Sequence, residues 1–266
     1  MRRVLGMALA AAISAPAMAA DLPAAIPAKA LPAYVPAYNW TGFYFGGNLG
    51  GTWGQFDFSP STTDLVSGAV SSPFSTSVTN SSVIGGIQSG YNWQLGNLLF
   101  GFEQDIQFTG LKRSFTFAGP AGSIAPFAVG DTLSTKADYL SSTRAKAGWV
   151  WDRFMLYAAG GLATGVMDTT ATYVAGVSPA LSFTDAHKFH TGYTVGGGAE
   201  YAVTDNVSFG VEYRYLNLGH ETYNLGGFTP AGGANAQAGS STVDLKSSEV
   251  LARLNVKLHG LGFFGM

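Results

Sequence analysis

The spacing of eight segments that alternate apolar and polar residues constrains the fold of this chain more than any other feature. The segments lie at 40–54, 82–95, 98–110, 137–151, 154–169, 188–203, 207–220 and 245–258. Gaps of about two or three residues alternate with gaps of about 18 to 27 residues along the whole series, as in membrane β-barrels. We therefore predict an all-β fold, an eight-stranded antiparallel up-and-down barrel with short turns on one side and long loops on the other.

The residues in the gaps agree with this arrangement. The short gaps hold Gly96-Asn97, Asp152-Arg153 and 204–206, and Gly, Asn and Asp tolerate the left-handed dihedral angles of tight hairpins. The long gaps are rich in Ser, Thr, Gly and Pro, which is typical of surface loops. These predicted loops are 55–81, 111–136, 170–187 and 221–244.

One face of the predicted strands is apolar and the other carries charges, because successive residues of a strand point to opposite sides. In the seventh segment, Val211, Tyr213 and Tyr215 alternate with Glu212 and Arg214. Five acidic and five basic residues share the polar face, and buried charges are expected to pair. The predicted barrel-interior charge network is Glu103, Asp105, Arg144, Lys146, Glu200, Glu212, Arg214, Glu249, Arg253 and Lys257.

A soluble barrel of the lipocalin type would reverse these faces and place the charges in water. Aromatic residues near the short turns favour the membrane version, in which such residues form a girdle at the lipid–water interface. The predicted aromatic girdle is Tyr91, Trp93, Phe100, Trp149, Trp151, Phe154, Tyr157 and Tyr201. The segment at 154–169 is too apolar on both faces to orient by pattern.

The ends of the chain predict export. Two arginines, a short apolar stretch and the small-x-small pattern at 17–19 are typical of a secretory signal peptide, which we place at 1–19. A Pro/Ala-rich periplasmic linker follows at 20–39, then the barrel at 40–258 and a C-terminal tail at 259–266. The predicted location is the outer membrane of a Gram-negative bacterium.

Composition excludes several other classes of protein. Charged residues make up 11% of the chain, against about 25% in ordinary soluble domains. Without the two arginines of the signal peptide, 12 of the 14 basic residues remain against 16 acidic ones, a net charge of −4. This balance argues against a nucleic-acid partner, and the absence of cysteine excludes disulfides.

Few motifs suggest chemistry. The glycines at 260, 262 and 265 match the dinucleotide-binding spacing but lack the helix that the motif requires. His187 and His190 lie three residues apart, so in an extended strand they face opposite sides. We predict no catalytic residues, no cofactor and no metal site.

Several motifs resemble the small outer-membrane immunogenic proteins of alphaproteobacteria, the porin-like family of the RopB type with an OmpA-like barrel. They are AMAADL (17–22), WTGFYFGG (40–47), GGIQSGYNWQLGNLLFGFEQDIQ (85–107), RAKAGWVWDRFMLYAAGGLA (144–163) and VEYRYLNLG (211–219). The resemblance implies an eight-stranded outer-membrane barrel, surface-exposed and linked to envelope integrity, without catalytic residues. Members of this family usually end on an aromatic residue, whereas here the last predicted strand ends near Leu258.

The leading hypothesis is a structural, non-enzymatic barrel whose interior is filled by ion pairs. A narrow porin for ions or small solutes is the alternative. A lipid-modifying membrane enzyme is the third hypothesis, with His190 or His220 as its only histidine candidates. The expected partners are outer-membrane lipids, the outer-membrane insertion machinery and external ligands at the loops; the sequence leaves the oligomeric state open.

Overall fold

The computed structural model describes residues 38–71, 75–118, 129–174, 181–229 and 235–258. The predicted signal peptide, most of the linker, the tail and the glycine motif within it lie outside these ranges. The strands are β1 (Gly42–Asp64), β2 (Val70–Ser71), β3 (Thr76–Leu95), β4 (Leu98–Thr109), β5 (Lys112–Thr116), β6 (Thr132–Trp151), β7 (Phe154–Tyr173), β8 (Leu181–Ala202), β9 (Val207–Phe228) and β10 (Gln237–Leu258).

The strands close into a ring through antiparallel pairs between neighbours in sequence. β10 pairs with β1 from Leu258 opposite Phe43 to Gln237 opposite Asp64, which closes the barrel. β4 and β5 both pair with β6 and together form one wall strand, whereas the two-residue β2 pairs with the far end of β1. The predicted eight-stranded antiparallel barrel is confirmed.

No helix in the part of the chain that the structure describes is long and apolar enough to span a bilayer.

The three short turns lie where the sequence predicts them, between β3 and β4, β6 and β7, and β8 and β9. Gly96 and Asp152 adopt positive φ angles of 63° and 51°, the left-handed conformation that a tight hairpin needs and that Gly and Asp tolerate. We call one end of the barrel the periplasmic end. It holds the three short turns, the first residue of β1 and the last residue of β10.

The opposite ends of the strands extend much further than predicted. β1 continues to Asp64, β7 to Tyr173 and β9 to Phe228, and β10 begins at Gln237. The predicted loops at 55–81, 111–136, 170–187 and 221–244 are therefore too long. In these extensions polar residues face out and apolar residues face in, a pattern that the Ser/Thr-rich composition conceals.

Two halves of the barrel differ in what their outer surface contacts. In β4, the outward residues from Leu98 to Phe108 are all apolar except Gln104. A strand tilted by about 40° covers about 25 Å of height over this stretch, which is the height of the apolar band of a membrane barrel. A second row of outward aromatic residues marks its upper edge: Trp53, Phe108, Tyr139, Tyr193 and Tyr215.

We call the part between the short turns and this upper row the membrane half, and the part beyond it the outer half. The outer half encloses an apolar core of fully buried side chains, as in a soluble barrel. Its members include Phe56, Phe58, Leu111, Phe117, Leu133, Met167, Leu218, Tyr223, Leu225, Val243 and Leu245.

Candidate functional site: the interior charge network

Eight charged side chains meet inside the membrane half, each at an inward position of its strand. β4, β6 and β9 each contribute two of them two residues apart, and β10 contributes two that lie four residues apart. We call this set the charge network: Glu103, Asp105, Arg144, Lys146, Glu212, Arg214, Glu249 and Arg253. All eight are buried, and four negative charges balance four positive ones.

Two arginines connect the acidic residues from opposite walls. Arg144 donates from Nη2 to Glu103 Oε1 and from Nη1 to Glu212 Oε1, each at 2.5 Å. Arg253 reaches the same two glutamates through its own Nη2 and Nη1. The two carboxylates therefore lie between two guanidinium groups, which satisfies the requirement that buried charges be paired and hydrogen-bonded.

A second group extends the network toward the outer half. Arg214 Nη1 lies 2.9 Å from Asp105 Oδ2, and its Nε donates to Glu249. Ser142 Oγ donates to Asp105 Oδ2 at 2.7 Å, and Arg144 Nη2 lies 3.3 Å from that same oxygen. Asp105 thus joins the two groups into one continuous set of ion pairs.

Two tyrosines complete the network, and two glycines make room for them. Tyr44 donates its hydroxyl to Glu103 Oε2 and Tyr157 donates to Glu212 Oε2, both at 2.6 Å. Lys146 Nζ donates to Tyr44 at 3.0 Å and lies 4.6 Å from the centroid of the Tyr157 ring. A Cβ on Gly90 would lie 2.5 Å from Tyr44 Oη, and one on Gly198 would lie 2.8 Å from Tyr157 Oη.

The remaining two predicted network residues lie elsewhere. Glu200 is buried, but it is held by Ser208 Oγ and by Asn255 Nδ2 at 2.9 Å rather than by a cation. Lys257 lies at the periplasmic rim, where its Nζ donates to the carbonyl of Asn39 and stands over the Tyr38 ring. The prediction is wrong for Lys257, because its side chain lies only partly buried at the rim and contacts the segment ahead of β1 rather than an interior carboxylate.

Most of the predicted girdle residues point outward near the short turns. Tyr91 packs at a ring-centroid distance of 4.6 Å from Trp93, and Trp151 lies 6.0 Å from Phe154. Phe100, Trp149 and Tyr201 are exposed on the same surface.

Tyr157 is the one wrong assignment in the girdle. It is 5% exposed and points into the barrel. It lies three residues from the outward Phe154, so it belongs to the other face of β7. The apolar composition of both faces of this strand hides that difference in the sequence. Counting positions from the turn at Asp152-Arg153 would have revealed it.

An apolar plug closes the periplasmic end below the network. Trp40 donates from Nε1 to the carbonyl of Asp152 at 3.0 Å, and the Tyr38 backbone N–H donates to Asp152 Oδ1 at 2.9 Å. Their rings pack with Leu99, Val150, Met155 and Ala202. The predicted linker therefore ends inside the mouth of the barrel. Sequence reasoning missed this plug, although two aromatics ahead of the first strand were a visible signal.

His187 and His190 point to opposite faces of the barrel wall. His190 is fully buried in the outer half, where its ring shares a 2.7 Å hydrogen bond with the Tyr223 hydroxyl. Burial lowers the pKa of His190 below its ordinary value. His187 is exposed on the opposite face, close to Asp138 and Asp168, and Lys136 forms an ion pair with Asp138. His220 is exposed opposite Asp244.

A closed barrel with an apolar outer band, aromatic residues at both edges and charges enclosed within defines an outer-membrane β-barrel protein. The family model described as outer membrane protein beta-barrel domain matches residues 5–245. The chain belongs to this family, and its location is the bacterial outer membrane.

Two relatives found by sequence agree with this assignment. The 31 kDa outer-membrane immunogenic protein of Brucella melitensis biotype 1 is 34% identical over 226 residues, which cover 82% of this chain and 88% of the relative. The 22 kDa outer membrane protein of Rhizobium leguminosarum bv. viciae is 30% identical over 190 residues, 70% of this chain and 68% of the relative. The crystal structure of Neisserial surface protein A matches with a TM-score of 0.36 and 16% identity, over 78% of this chain and 97% of that one.

Proposed function

We propose that the protein is a structural outer-membrane barrel that supports envelope integrity and conducts no solutes. One observation carries this proposal: side chains cross the lumen in three successive layers. The apolar plug lies at the periplasmic end, the charge network fills the middle, and the apolar core fills the outer half. An eight-stranded barrel is only just wide enough for its own side chains, and this filling supports a lumen without an aqueous path.

The proposal includes the absence of a catalytic role. The ring of His190 faces Tyr223 within the apolar core, where neither nitrogen reaches lipid or water. The network carboxylates are held by arginines on opposite walls, so they are poorly placed to activate a water molecule. Both arrangements support a role in holding the barrel wall together rather than in chemistry.

Planar-bilayer recording on the refolded protein tests the proposal. We expect no discrete conductance steps for the native chain. The variant Trp40→Ala should also stay silent, because the charge network remains in place above the plug. Discrete steps in the native protein, with an amplitude changed by Arg144→Gln, would contradict the structural role and establish a narrow porin.

Envelope integrity is tested in cells that lack the protein. We expect the deletion to increase sensitivity to detergents that the outer membrane normally excludes. Re-expression of the native chain and of Trp40→Ala should restore resistance. Unchanged sensitivity in the deletion strain would contradict this part of the proposal.

A further inference from the structure

The barrel wall is interrupted in the outer half between β3 and β5, as it also is between β8 and β9, where backbone pairing ends at Tyr193 opposite Asn217. Backbone pairing of β3 with β4 ends at Ile84 opposite Thr109. Beyond that point, within the described residues, β3 pairs only with β1 and β5 pairs only with β6. At this interruption two strand edges therefore face each other without a backbone hydrogen-bond ladder between them.

The local sequence explains the interruption. After Thr109 the chain turns inward, and Leu111 becomes fully buried against Gly54. A side chain crosses the opening here: Asn80 donates from Nδ2 to the carbonyl of Lys112 at 2.8 Å. Unpaired edges are normally covered or charged, and here two basic residues begin β5, whose edge toward β3 has no backbone ladder.

A pocket of about 500 Å³ lies at this interruption, lined by Trp53, Gly54, Gln55, Thr79, Asn80, Ser81 and Arg113. Trp53 belongs to the upper aromatic row and is 54% exposed, in register with Ser81 on β3. Val83 lies two residues further along β3, toward the membrane half, and is 67% exposed. The pocket therefore lies at the height where the headgroups of the outer leaflet meet the barrel wall.

Arg113, which lines the pocket, and its sequence neighbour Lys112 differ from the other cations of the outer half. In the outer half, Lys136, Lys188 and Lys246 each pair with an aspartate. Neither Lys112 nor Arg113 has an acidic partner among the described residues, and both are exposed. Adjacent basic side chains at a membrane surface attract anionic lipid headgroups, and guanidinium groups suit phosphate in particular.

We propose that this pocket binds the phosphate group of an outer-leaflet lipid. Arg113 in the pocket and Lys112 beside it supply the positive charge. The hydroxyls of Ser81 and Thr79 are available as hydrogen-bond donors, and Trp53 packs against the top of the acyl chains. The acyl chains lie along the outward apolar residues Val83 and Leu49 below. The unpaired strand edges add backbone groups that a bound headgroup can cover.

Native mass spectrometry of the refolded protein in neutral detergent tests this proposal, with diphosphorylated lipid A as the probe. We expect the variant Lys112→Gln/Arg113→Gln to bind the probe about 25-fold more weakly. One basic side chain near a charged lipid surface contributes roughly fivefold. The matched control Lys188→Gln also removes a cation from the outer half and should bind within about twofold of the native protein. Equal losses in both variants, or no loss in the double variant, would overturn the proposal.

The variant Ser81→Trp separates the pocket from charge alone, because it fills the space and keeps both cations. We expect it to bind the probe as weakly as the double variant, and all variants should keep the heat-dependent gel shift of a folded barrel. Native binding by Ser81→Trp would overturn the assignment to this pocket.

The source of the phosphate is tested with two further probes, dephosphorylated lipid A and inorganic phosphate. Both should bind much more weakly than the phosphorylated lipid. Equal binding of the dephosphorylated lipid would overturn the role of phosphate, and equal binding of free phosphate would overturn the lipid as its source.

Discussion

The membrane half and the outer half follow the same rule of alternation with opposite signs. In the lower part of β10, Leu254 faces lipid while Arg253 faces the charge network; in its upper part, Leu245 faces the core while Lys246 faces outward and pairs with Asp57. A single strand thus reverses both faces as it crosses from lipid to water. The comparison teaches that the medium outside the barrel decides which face is apolar. Where lipid surrounds the wall, the charged side chains lie inside, and where water surrounds it, the apolar side chains lie inside.

The first way to break this comparison is to remove one charge from the network. Arg253→Met leaves Glu103 and Glu212 with one arginine fewer in a buried site. Breaking a buried ion pair costs about 3–5 kcal/mol, and we expect a loss of that size in the free energy of unfolding, measured by urea titration in lipid vesicles. Lys257→Met is the control at the rim, where the expected loss is below about 1 kcal/mol. Equal losses would show that the network contributes no more than a surface charge.

The second test compares two leucines of β10 that lie on opposite faces. Leu245→Ala opens a cavity in the outer core, and such changes cost about 2–5 kcal/mol. Leu254→Ala removes a side chain that contacts lipid, which re-fills the space, so we expect only the lost transfer from water to lipid, about 2 kcal/mol, without the cost of a cavity. The same urea titration measures both. A larger loss for Leu254→Ala would contradict the assignment of faces.

The third test locates the boundary between the lipid-facing and the water-facing parts of the outer surface. Ala252→Arg places a charge on the lipid-facing surface near mid-height and should destabilise the barrel by about 2–4 kcal/mol. Thr242→Arg places the same charge on the outward face of the outer half, where a surface substitution usually changes stability by about 0.5 kcal/mol or less. If both variants lose stability equally, the outer half also contacts lipid.

The smallest expected effect concerns pH in the outer half. Burial alone would raise the pKa of Asp57, but hydrogen bonds from Ser77, Gln55 and Lys246 outweigh it and hold the pKa below its ordinary value of 3.8. A depressed carboxyl pKa contributes stability above that ordinary value and loses it as the pH falls through the lowered one. We expect a loss below about 1 kcal/mol because the pair is partly exposed. Unfolding titrations of Asp57→Asn should lack this acid-dependent step, and its persistence would assign the step to another group.

The sequence predicted the membrane half better than the outer half for physical reasons. In the membrane half, lipid excludes polar outward residues, so the alternation of apolar and charged residues, as in Val211, Glu212 and Tyr213, is easy to recognise. Beyond the upper aromatic row, water accepts Ser and Thr on the strand surface, and the composition becomes that of a loop. The paired threonines Thr170 and Thr184, which share a 2.9 Å hydrogen bond, illustrate this similarity.

Bulges explain why three predicted strands ended where they did. The pairing shifts between Ala137 and Tyr139 on β6 and between Asp244 and Lys246 opposite Gly219 on β9. A further shift lies between Met167 and Thr169 of β7, opposite the part of β8 in which His187 has a φ of 58°. Each extra residue exchanges the inward and outward positions beyond it. A search for constant alternation therefore loses the strand at that point.

The charged residues of the site were largely predictable from the sequence, but the pairs that they form were not. Alternation identified the inward charges, but only the register of distant strands brings Arg144 of β6 and Arg253 of β10 to the same glutamates. Tyr44 and Tyr157 join them because of inward glycines on neighbouring strands. Such contacts depend on barrel closure, which no local pattern encodes.

Single-cysteine labelling along β10 tests the reversal of faces most directly, since the chain has no cysteine of its own. We predict that spin labels at 250, 252, 254 and 256 contact a lipid-soluble relaxant. Labels at 240, 242, 244 and 246 should contact a water-soluble one instead, while thiols introduced at inward positions such as 243 and 245 should react with neither phase. Lipid contact along the whole outward row, or water access to the inward positions, would contradict this account.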